Sequence, residues 1–196
     1  MAPQLRRTPL GCALTIATAS IDDPRNQRQA FAKHLFLSEI EYQSQFAAKA
    51  AERLVTCDQR DPIEIWSAVQ SILIASANVS RILWPSRERF APRGAMLRAL
   101  LDIDDSNALS DRTLRNHFEH YDERIDDWIS STHSSVYVDQ IIGPPPGFLR
   151  QFPQNAQRGY DPSTQTVTFR GESLNLASML RALDDIRQKC HLIVQL

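Results

Sequence analysis

The sequence predicts a mainly α-helical protein, an antiparallel helical bundle with a small β-hairpin element near its C-terminal end. Three observations support this fold class. Residues 25–57 contain neither proline nor glycine, which is typical of one long helix. Asp-Pro pairs at 23–24 and 61–62 are helix-start signals, with Asp as the N-cap and Pro at the first helical position. Apolar residues keep a helical period in residues 63–84.

The first predicted helix runs from Pro24 to about Cys57, and its apolar residues form two stripes. One stripe contains Phe31, Leu35, Tyr42 and Phe46. The other contains Phe36, Ile40, Ala47, Ala51 and Leu54. A helix with two apolar stripes is expected to contact neighbours on two sides.

The second predicted helix runs from about Ile63 to Trp84 and ends before Pro85, because proline disfavours a helical residue before it. Most of its circumference is apolar, so we expect it to be the most buried helix. Its short connection to the first helix favours an antiparallel pair. A short helix after Gly94 and a fourth helix from about Ser110 to Ser131 follow.

The character of the sequence changes after Ser131. Short strands are predicted around 136–138 and 141–142, and residues 165–169 alternate like a half-buried strand. A last helix starts at Ser173 or Asn175. We therefore divide the chain into an N-terminal tail or short strand, a helical bundle that carries the motif described below, and a β appendage with a C-terminal helix packed on the same domain; the ranges are 1–23, 24–131 and 132–196.

Composition and charge predict a cytoplasmic protein with no cofactor. A net charge of -1 gives no overall attraction to nucleic acid or to a membrane surface. Three cysteines without a C-x-x-C pair indicate reduced thiols rather than disulfides. Residues 10–20 follow two arginines and contain Ala17-Thr18-Ala19, but this apolar run is short and diluted for an export signal. No stretch is apolar enough to span a membrane, and no P-loop or G-x-G-x-x-G motif occurs.

The segment from Leu114 to His120 contains two histidines, an arginine and an asparagine. At about 100° per residue, one narrow apolar ridge is expected to pack on the bundle; it contains Leu114, Phe118, Tyr121, Ile125, Trp128 and Ile129. Asn116 and His120 lie one turn apart and point away from this ridge, whereas His117 borders it. The pattern thus predicts a polar pair on a face that the core does not need.

Arg115, Asn116 and His120 resemble the motif of the HEPN domain family (higher eukaryotes and prokaryotes nucleotide-binding). That motif is an arginine, a polar residue, three to five further residues and a histidine, and three residues separate Asn116 from His120. Arg112 and His117 give a second match, but Thr113 follows Arg112 and His117 borders the core. The resemblance implies a helical bundle and, for many members, a metal-independent endoribonuclease whose site forms across a homodimer.

The resemblance assigns a role to each residue of the motif. His120 would transfer protons, Arg115 would clamp the phosphate, and Asn116 would orient the imidazole or bind phosphate. His117 and Glu119 are secondary candidates. A pairing of Glu119 with Arg115 would weigh against the phosphate-binding role, because it would occupy the guanidinium. The chemistry fits these residue types, because histidine exchanges protons near neutral pH and a guanidinium stabilises the charge of a phosphorane.

Charge along the chain indicates where RNA can approach. Between positions 81 and 98, five arginines against one glutamate give +4, and Arg87, Arg89 and Arg93 are the candidate nucleic-acid contacts. Between 102 and 127, nine acidic residues against three arginines give -6, which is a poor surface for RNA. RNA would therefore have to approach along the basic segment.

Two other interpretations stay open. A metal site would use His117 and His120 with Glu119 and Glu123, but the Glu-x-x-His pattern of di-metal bundles is absent, so no metal is predicted. The main alternative is a non-catalytic HEPN-like module that binds a nucleotide or a protein, for example an antitoxin-like partner in a toxin–antitoxin or defence system.

Overall fold

Two long antiparallel helices form the centre of the fold. In a computed structural model, α1 spans Pro24–Thr56 and α2 spans Pro62–Leu83. The Asn78 amide of α2 donates to the Gln43 side chain of α1 (3.1 Å). The Arg53 guanidinium of α1 donates to the Ser71 hydroxyl of α2 (3.4 Å). The later position on α1, Arg53, thus contacts the earlier position on α2, Ser71, as an antiparallel pair requires.

The structure describes residues 24–58, 60–111, 116, 118, 120–131 and 136–194. The predicted N-terminal tail or strand of residues 1–23 lies outside the described residues. Within them the chain is mainly helical, with a small four-stranded mixed sheet near the C-terminal end. None of the helices described there has both the length and the apolar character that crossing a bilayer requires.

The predicted limits of α2 are confirmed. The Asp61 carboxylate accepts hydrogen bonds from the backbone N–H groups of Ile63 (3.0 Å) and Glu64 (3.2 Å), which are otherwise unpaired in a first helical turn. The helix ends at Leu83, and Trp84 is its C-cap residue, directly before Pro85. Buried residues occur around most of its circumference, from Ile65 to Leu83. Of the described helices α2 has the most buried residues, as its sequence predicts.

Replacing the N-cap is expected to weaken this central helix. Asp61→Ala leaves two backbone N–H groups of α2 without their side-chain acceptor and should lower the free energy of unfolding by about 1 kcal/mol. Urea unfolding followed by circular dichroism measures this change. Asp61→Asn, which keeps an acceptor, should stay near wild type, and an equal loss in both variants would contradict the capping role.

The two apolar stripes of α1 have different environments. Ile40, Ala47 and Leu54 are buried against the rest of the fold. The other stripe is exposed, with Phe31, Leu35, Tyr42 and Phe46 at 46%, 48%, 53% and 57% relative accessibility. Among the described residues, the expectation that both stripes contact neighbours is therefore confirmed only for the buried stripe.

Shorter helical segments follow α2 before the sheet is complete. A 3₁₀ turn at Glu88–Phe90 leads into α3 (Ala91–Leu100), and α4 spans Tyr121–Ser131. A short α5 (Gly147–Gln151) precedes a second 3₁₀ turn. The fourth helix was predicted from about Ser110 to Ser131. Asn107 to Ser110 form a turn in which the Ser110 N–H donates to the Asn107 carbonyl (2.9 Å), residues 116, 118 and 121–131 are helical, and residues 112–115 lie outside the described residues.

The β element is larger than the predicted hairpin. Its four strands lie in the order β1-β2-β3-β4, with β1 parallel to β2 and the other pairs antiparallel. Their bounds are Ile141–Ile142, Arg158–Asp161, Thr166–Phe169 and Glu172–Asn175. The parallel pair was missed because the chain between β1 and β2 contains α5 and a 3₁₀ turn rather than a tight turn.

The sheet and the helices share one hydrophobic core. Val167 and Phe169 alternate with half-buried threonines on β3, which confirms the half-buried strand predicted there. Both belong to the same cluster of buried residues as Ile65 and Ile72 of α2. The final helix, α6 (Leu176–Val194), closes this cluster from the other side and packs on α1.

Candidate functional site

Aromatic contacts hold the segment that carries the motif, from Asn116 to the start of α4, between α2 and the sheet. The Phe118 ring stacks on Trp66 of α2 and lies near Phe169 of β3, with centroid distances of 6.4 Å in both cases. Tyr121 meets the Phe169 ring edge-on at 6.2 Å. The predicted ridge is therefore correct for Phe118 and Tyr121, whereas Ile129 at its far end is 63% exposed.

Asn116 and His120 occupy one helical turn outside this packing. The His120 backbone N–H donates to the Asn116 carbonyl (3.0 Å), and the His120 carbonyl accepts from the Arg124 N–H (3.2 Å). Both residues are exposed, while Phe118 between them is half-buried. The structure thus brings two of the three predicted catalytic residues together. The third, Arg115, lies outside the described residues, as do His117 and Glu119.

The His120 imidazole has one carboxylate neighbour among the described residues. Its Nδ1 atom lies 3.5 Å from Oε1 of Glu123, one turn later, and its side chain is 53% exposed. No bond to its Nε2 atom is found within the part of the chain that the structure describes. A carboxylate that accepts from Nδ1 fixes the tautomer in which Nε2 accepts a proton.

The ion pair of Asp139 with Arg158, termed the Asp139–Arg158 clamp, connects α4 to the sheet. Arg158 of β2 donates from Nε to Asp139 Oδ1 (2.9 Å) and from Nη2 to Asp139 Oδ2 (2.5 Å), and its backbone N–H also donates to Oδ1 (3.1 Å). Its guanidinium lies 4.0 Å from the Tyr121 ring centroid. Both charged side chains are largely buried, at 11% and 20% accessibility. This pair was missed because nothing in the sequence links Asp139 to Arg158.

Tyr121 extends the clamp through its hydroxyl group. Its Oη atom lies 2.6 Å from Oη of Tyr137, whose ring meets Trp128 edge-on at 4.9 Å. Burial, and then the hydrogen bond with Tyr137, raise the pKa of Tyr121 well above its usual value. Tyr121 therefore stays a neutral phenol at physiological pH, so it can donate a hydrogen bond but cannot act as a general base.

A second arginine fixes the middle of α4. Arg170, which follows β3, donates from Nη2 to the Arg124 carbonyl and from Nε to Gln157 Oε1 (2.8 Å). Gln157 is buried at 1% accessibility, and its amide nitrogen donates to the Gln154 carbonyl (3.0 Å). The two arginines, Arg158 and Arg170, thus hold α4 at Tyr121 and at Arg124.

That outer face is acidic. Exposed carboxylates flank His120 along α4; they belong to Asp122, Glu123, Asp126 and Asp127. One arginine, Arg124, partly offsets them and pairs with Asp127 (2.8 Å). Phosphate binding here would depend on Arg115 or on a partner molecule.

The basic segment lies at the other end of α2. Arg93 donates to the Arg81 carbonyl (3.0 Å) and stacks on Phe36 at 4.8 Å, and Arg98 donates to the Leu83 carbonyl (2.5 Å). These bonds satisfy the carbonyls at the C-terminal end of α2, so Arg93 has a structural role. Arg87 and Arg89 are exposed.

The basic segment and His120 are far apart. Seventeen residues separate Trp66, which supports Phe118, from Leu83, and at 1.5 Å per residue they span about 25 Å. Arg87, Arg89 and Arg93 are therefore not brought together with Asn116 and His120.

The described residues contain no group of three or more histidine, cysteine, aspartate or glutamate side chains arranged for a metal ion. His117 and Glu119, two of the four ligands in the alternative metal site, lie outside the described residues.

A comparison with protein-family models found no match, and comparisons with curated proteins and with solved structures found none.

Proposed function

We propose that this protein is a HEPN-like, metal-independent endoribonuclease that acts as a homodimer. The observation that carries the proposal is the exposed turn that holds Asn116 and His120 beside the buried anchor Phe118. An exposed histidine on a helical turn that Phe118 anchors is suited to proton transfer, since the anchor positions its side chain for the reaction.

In the proposed reaction the ribose 2′-hydroxyl attacks the adjacent phosphate. His120 Nε2 takes the proton of the hydroxyl as the new oxygen–phosphorus bond forms. The bond to the 5′-oxygen then breaks, and His120 of the partner subunit, in its protonated form, supplies a proton to the leaving oxygen. The products are a 2′,3′-cyclic phosphate and a 5′-hydroxyl, so atoms and charge balance without a metal or cofactor.

The remaining residues would stabilise this reaction. Arg115 would bind the phosphorane oxygens, and Asn116 would hold the imidazole or a phosphate oxygen. Glu123, 3.5 Å from Nδ1, would keep Nε2 as the accepting nitrogen. Two protomers supply the two proton-transfer groups that one His120 cannot provide alone.

RNA cleavage in EDTA tests the proposal. Wild type should cut RNA and leave 2′,3′-cyclic phosphate ends, and His120→Ala should lower the rate by at least about 100-fold because the proton-transfer group is lost. Mass spectrometry of the fragments identifies the ends.

His191→Ala is the matched control. His191 is a second exposed histidine with a carboxylate neighbour: its side chain is 51% exposed, and its Nδ1 lies 3.2 Å from Glu41 Oε1. The His191→Ala variant should cleave RNA like wild type. Equal activity of wild type and His120→Ala would remove the proposed role of His120.

A non-catalytic binding module is the second candidate. The carboxylates around His120 favour a basic protein partner over RNA, since like charges repel phosphates. Under this alternative wild type cuts no RNA, and the α4 face holds an antitoxin-like or other basic protein. Charge reversal at Asp122 and Asp126 should then abolish partner binding without changing the fold.

A further inference from the structure

The exposed stripe of α1 is symmetric about its own midpoint. Phe31 and Leu35 are four residues apart, as are Tyr42 and Phe46, and seven residues separate the two pairs. On a helix these four side chains fall within about 60° of one another and extend over about 22 Å. The spacing reads the same in both directions along the helix.

Nothing among the described residues covers this stripe. It lies about 130° around α1 from the buried line of Ile40, Ala47 and Leu54, so α2, α6 and the core occupy the other side. Every residue from Pro24 to Phe31 is also exposed, although these residues form the first two turns of α1. Short helical segments without packing are marginal in water, so a contact on this part of α1 would stabilise it.

We propose that the stripe binds the same stripe of a second copy of this chain, with the two α1 helices antiparallel. A two-fold interface must be self-complementary, and a symmetric 4-7-4 spacing meets that requirement. The two-fold axis passes between residues 38 and 39. It sets Phe31 against the partner's Phe46 and Leu35 against the partner's Tyr42.

The residues at the crossing point suit this arrangement. Ser38, a small side chain, lies on the same face and lets the helices approach closely. The neighbouring carboxylate of Glu39 is turned aside, because it accepts a hydrogen bond from Gln43 (2.7 Å), which also contacts α2 through Asn78. The centre of the stripe therefore carries no charge that points at the partner.

The stripe supplies about half of the area of a standard interface. The four half-exposed side chains offer roughly 400 Å² per protomer, against the roughly 800 Å² that a stable partner buries. Exposed polar residues on the same face, among them Gln27 and Gln45, surround the stripe. A polar rim around an aromatic centre is the usual composition of such contacts.

This interface is separate from the proposed ribonuclease site. The axis lies near the middle of α1, whereas Phe118, two residues before His120, stacks on Trp66 near the start of α2. The dimer that would join two His120 sites uses another face. The inference therefore survives if the protein cleaves no RNA, and its test does not measure cleavage.

Solution mass with paired substitutions tests the interface. The chain has a mass of 22.3 kDa, and light scattering of wild type should give at least twice that value. Leu35→Glu with Phe46→Glu should halve the measured mass, because each glutamate would be placed against an aromatic side chain of the partner. Both residues are exposed in the protomer, so the variant should stay folded and keep the helical circular dichroism spectrum of wild type.

Ile63→Glu is the control for the loss of an exposed apolar side chain, since Ile63 is 70% exposed at the start of α2 and lies off the stripe. Its mass should equal that of wild type. A monomeric wild type, or equal masses for wild type and the stripe variant, would overturn the proposal.

A cross-link fixes the register. Ser38→Cys, with Cys57 replaced by serine, should oxidise to a covalent dimer because the two introduced thiols meet at the axis. Glu52→Cys in the same background lies about 20 Å along the helix and should not cross-link. An oxidised monomer in which the introduced thiol is bonded to Cys12 would show that the chain's own N-terminal segment covers the stripe and would overturn the proposal.

Discussion

Asp139→Ala is expected to lower the free energy of unfolding by about 3 kcal/mol. The substitution removes three hydrogen bonds to Arg158 and leaves that guanidinium, at 11% accessibility, without its counter-charge. Breaking a buried ion pair by removing one partner costs about 3–5 kcal/mol, and the lower end applies because Asp139 keeps 20% of its exposure. Chemical denaturation at neutral pH measures the loss.

The exposed pair Arg187–Asp184 provides the control. Its two side chains are 34% and 53% accessible, and exposed pairs of this kind contribute well below about 1 kcal/mol. Asp184→Ala should therefore unfold close to wild type. If both variants lost the same small amount, the clamp would not be holding α4 to the sheet.

The same clamp predicts a dependence of stability on acid. Burial alone would raise the pKa of Asp139, but the hydrogen bonds and charge of Arg158 outweigh it and hold the pKa below its usual value. The clamp therefore stabilises the fold fully above the unfolded-state pKa of about 4, and this contribution is lost as pH falls through the folded-state pKa. Asp139→Asn should flatten this part of the stability–pH curve, whereas an unchanged slope would contradict the assignment.

Local signals in the sequence predicted the helices because their causes are local. Asp61 caps α2 through bonds to residues two and three positions later, and Pro85 stops it directly. The alternation in β3 was readable because each side chain reports its own burial. Such features depend on neighbours within a few residues, which a sequence displays.

Contacts between distant segments were not predictable in this way. The pair of Asp139 with Arg158, and the bond from Arg170 to the Arg124 carbonyl, join residues 19 and 46 positions apart. Their chemistry is ordinary, and only the folded sheet brings the groups together. The parallel pairing of β1 with β2 was missed for the same reason.

The candidate site contains features of both kinds, those fixed by nearby residues and those that depend on distant segments. Helical spacing correctly placed Asn116 and His120 on one exposed turn, because the period of a helix follows from its geometry. The basic segment was correctly identified as a cluster of charge, yet Arg93 and Arg98 are bonded to the carbonyls that end α2. Sequence gives the charge of an arginine but not the atoms it binds.

Gly94→Ala is expected to cost about 3 kcal/mol, because α3 touches the end of α2 at this residue. A Cβ atom at Gly94 would lie 2.5 Å from the Leu83 carbonyl oxygen and 2.6 Å from Cδ of Pro85. Both obstacles belong to rigid parts of the chain, so α3 must move away, and overpacking of this kind costs about 1–3 kcal/mol. The shift would also draw Arg98 off the Leu83 carbonyl (2.5 Å), which adds an unsatisfied group.

Gly147→Ala separates this steric effect from the general cost of replacing glycine. A Cβ atom at Gly147 meets nothing within 4 Å, and the residue begins α5, where alanine is well tolerated. Denaturation of both variants should show a large loss for Gly94→Ala and almost none for Gly147→Ala. Because α3 lies about 25 Å from His120 along α2, a folded fraction of Gly94→Ala should keep any activity of the motif. A parallel loss of stability and activity per folded molecule would instead indicate that the two ends of α2 are coupled.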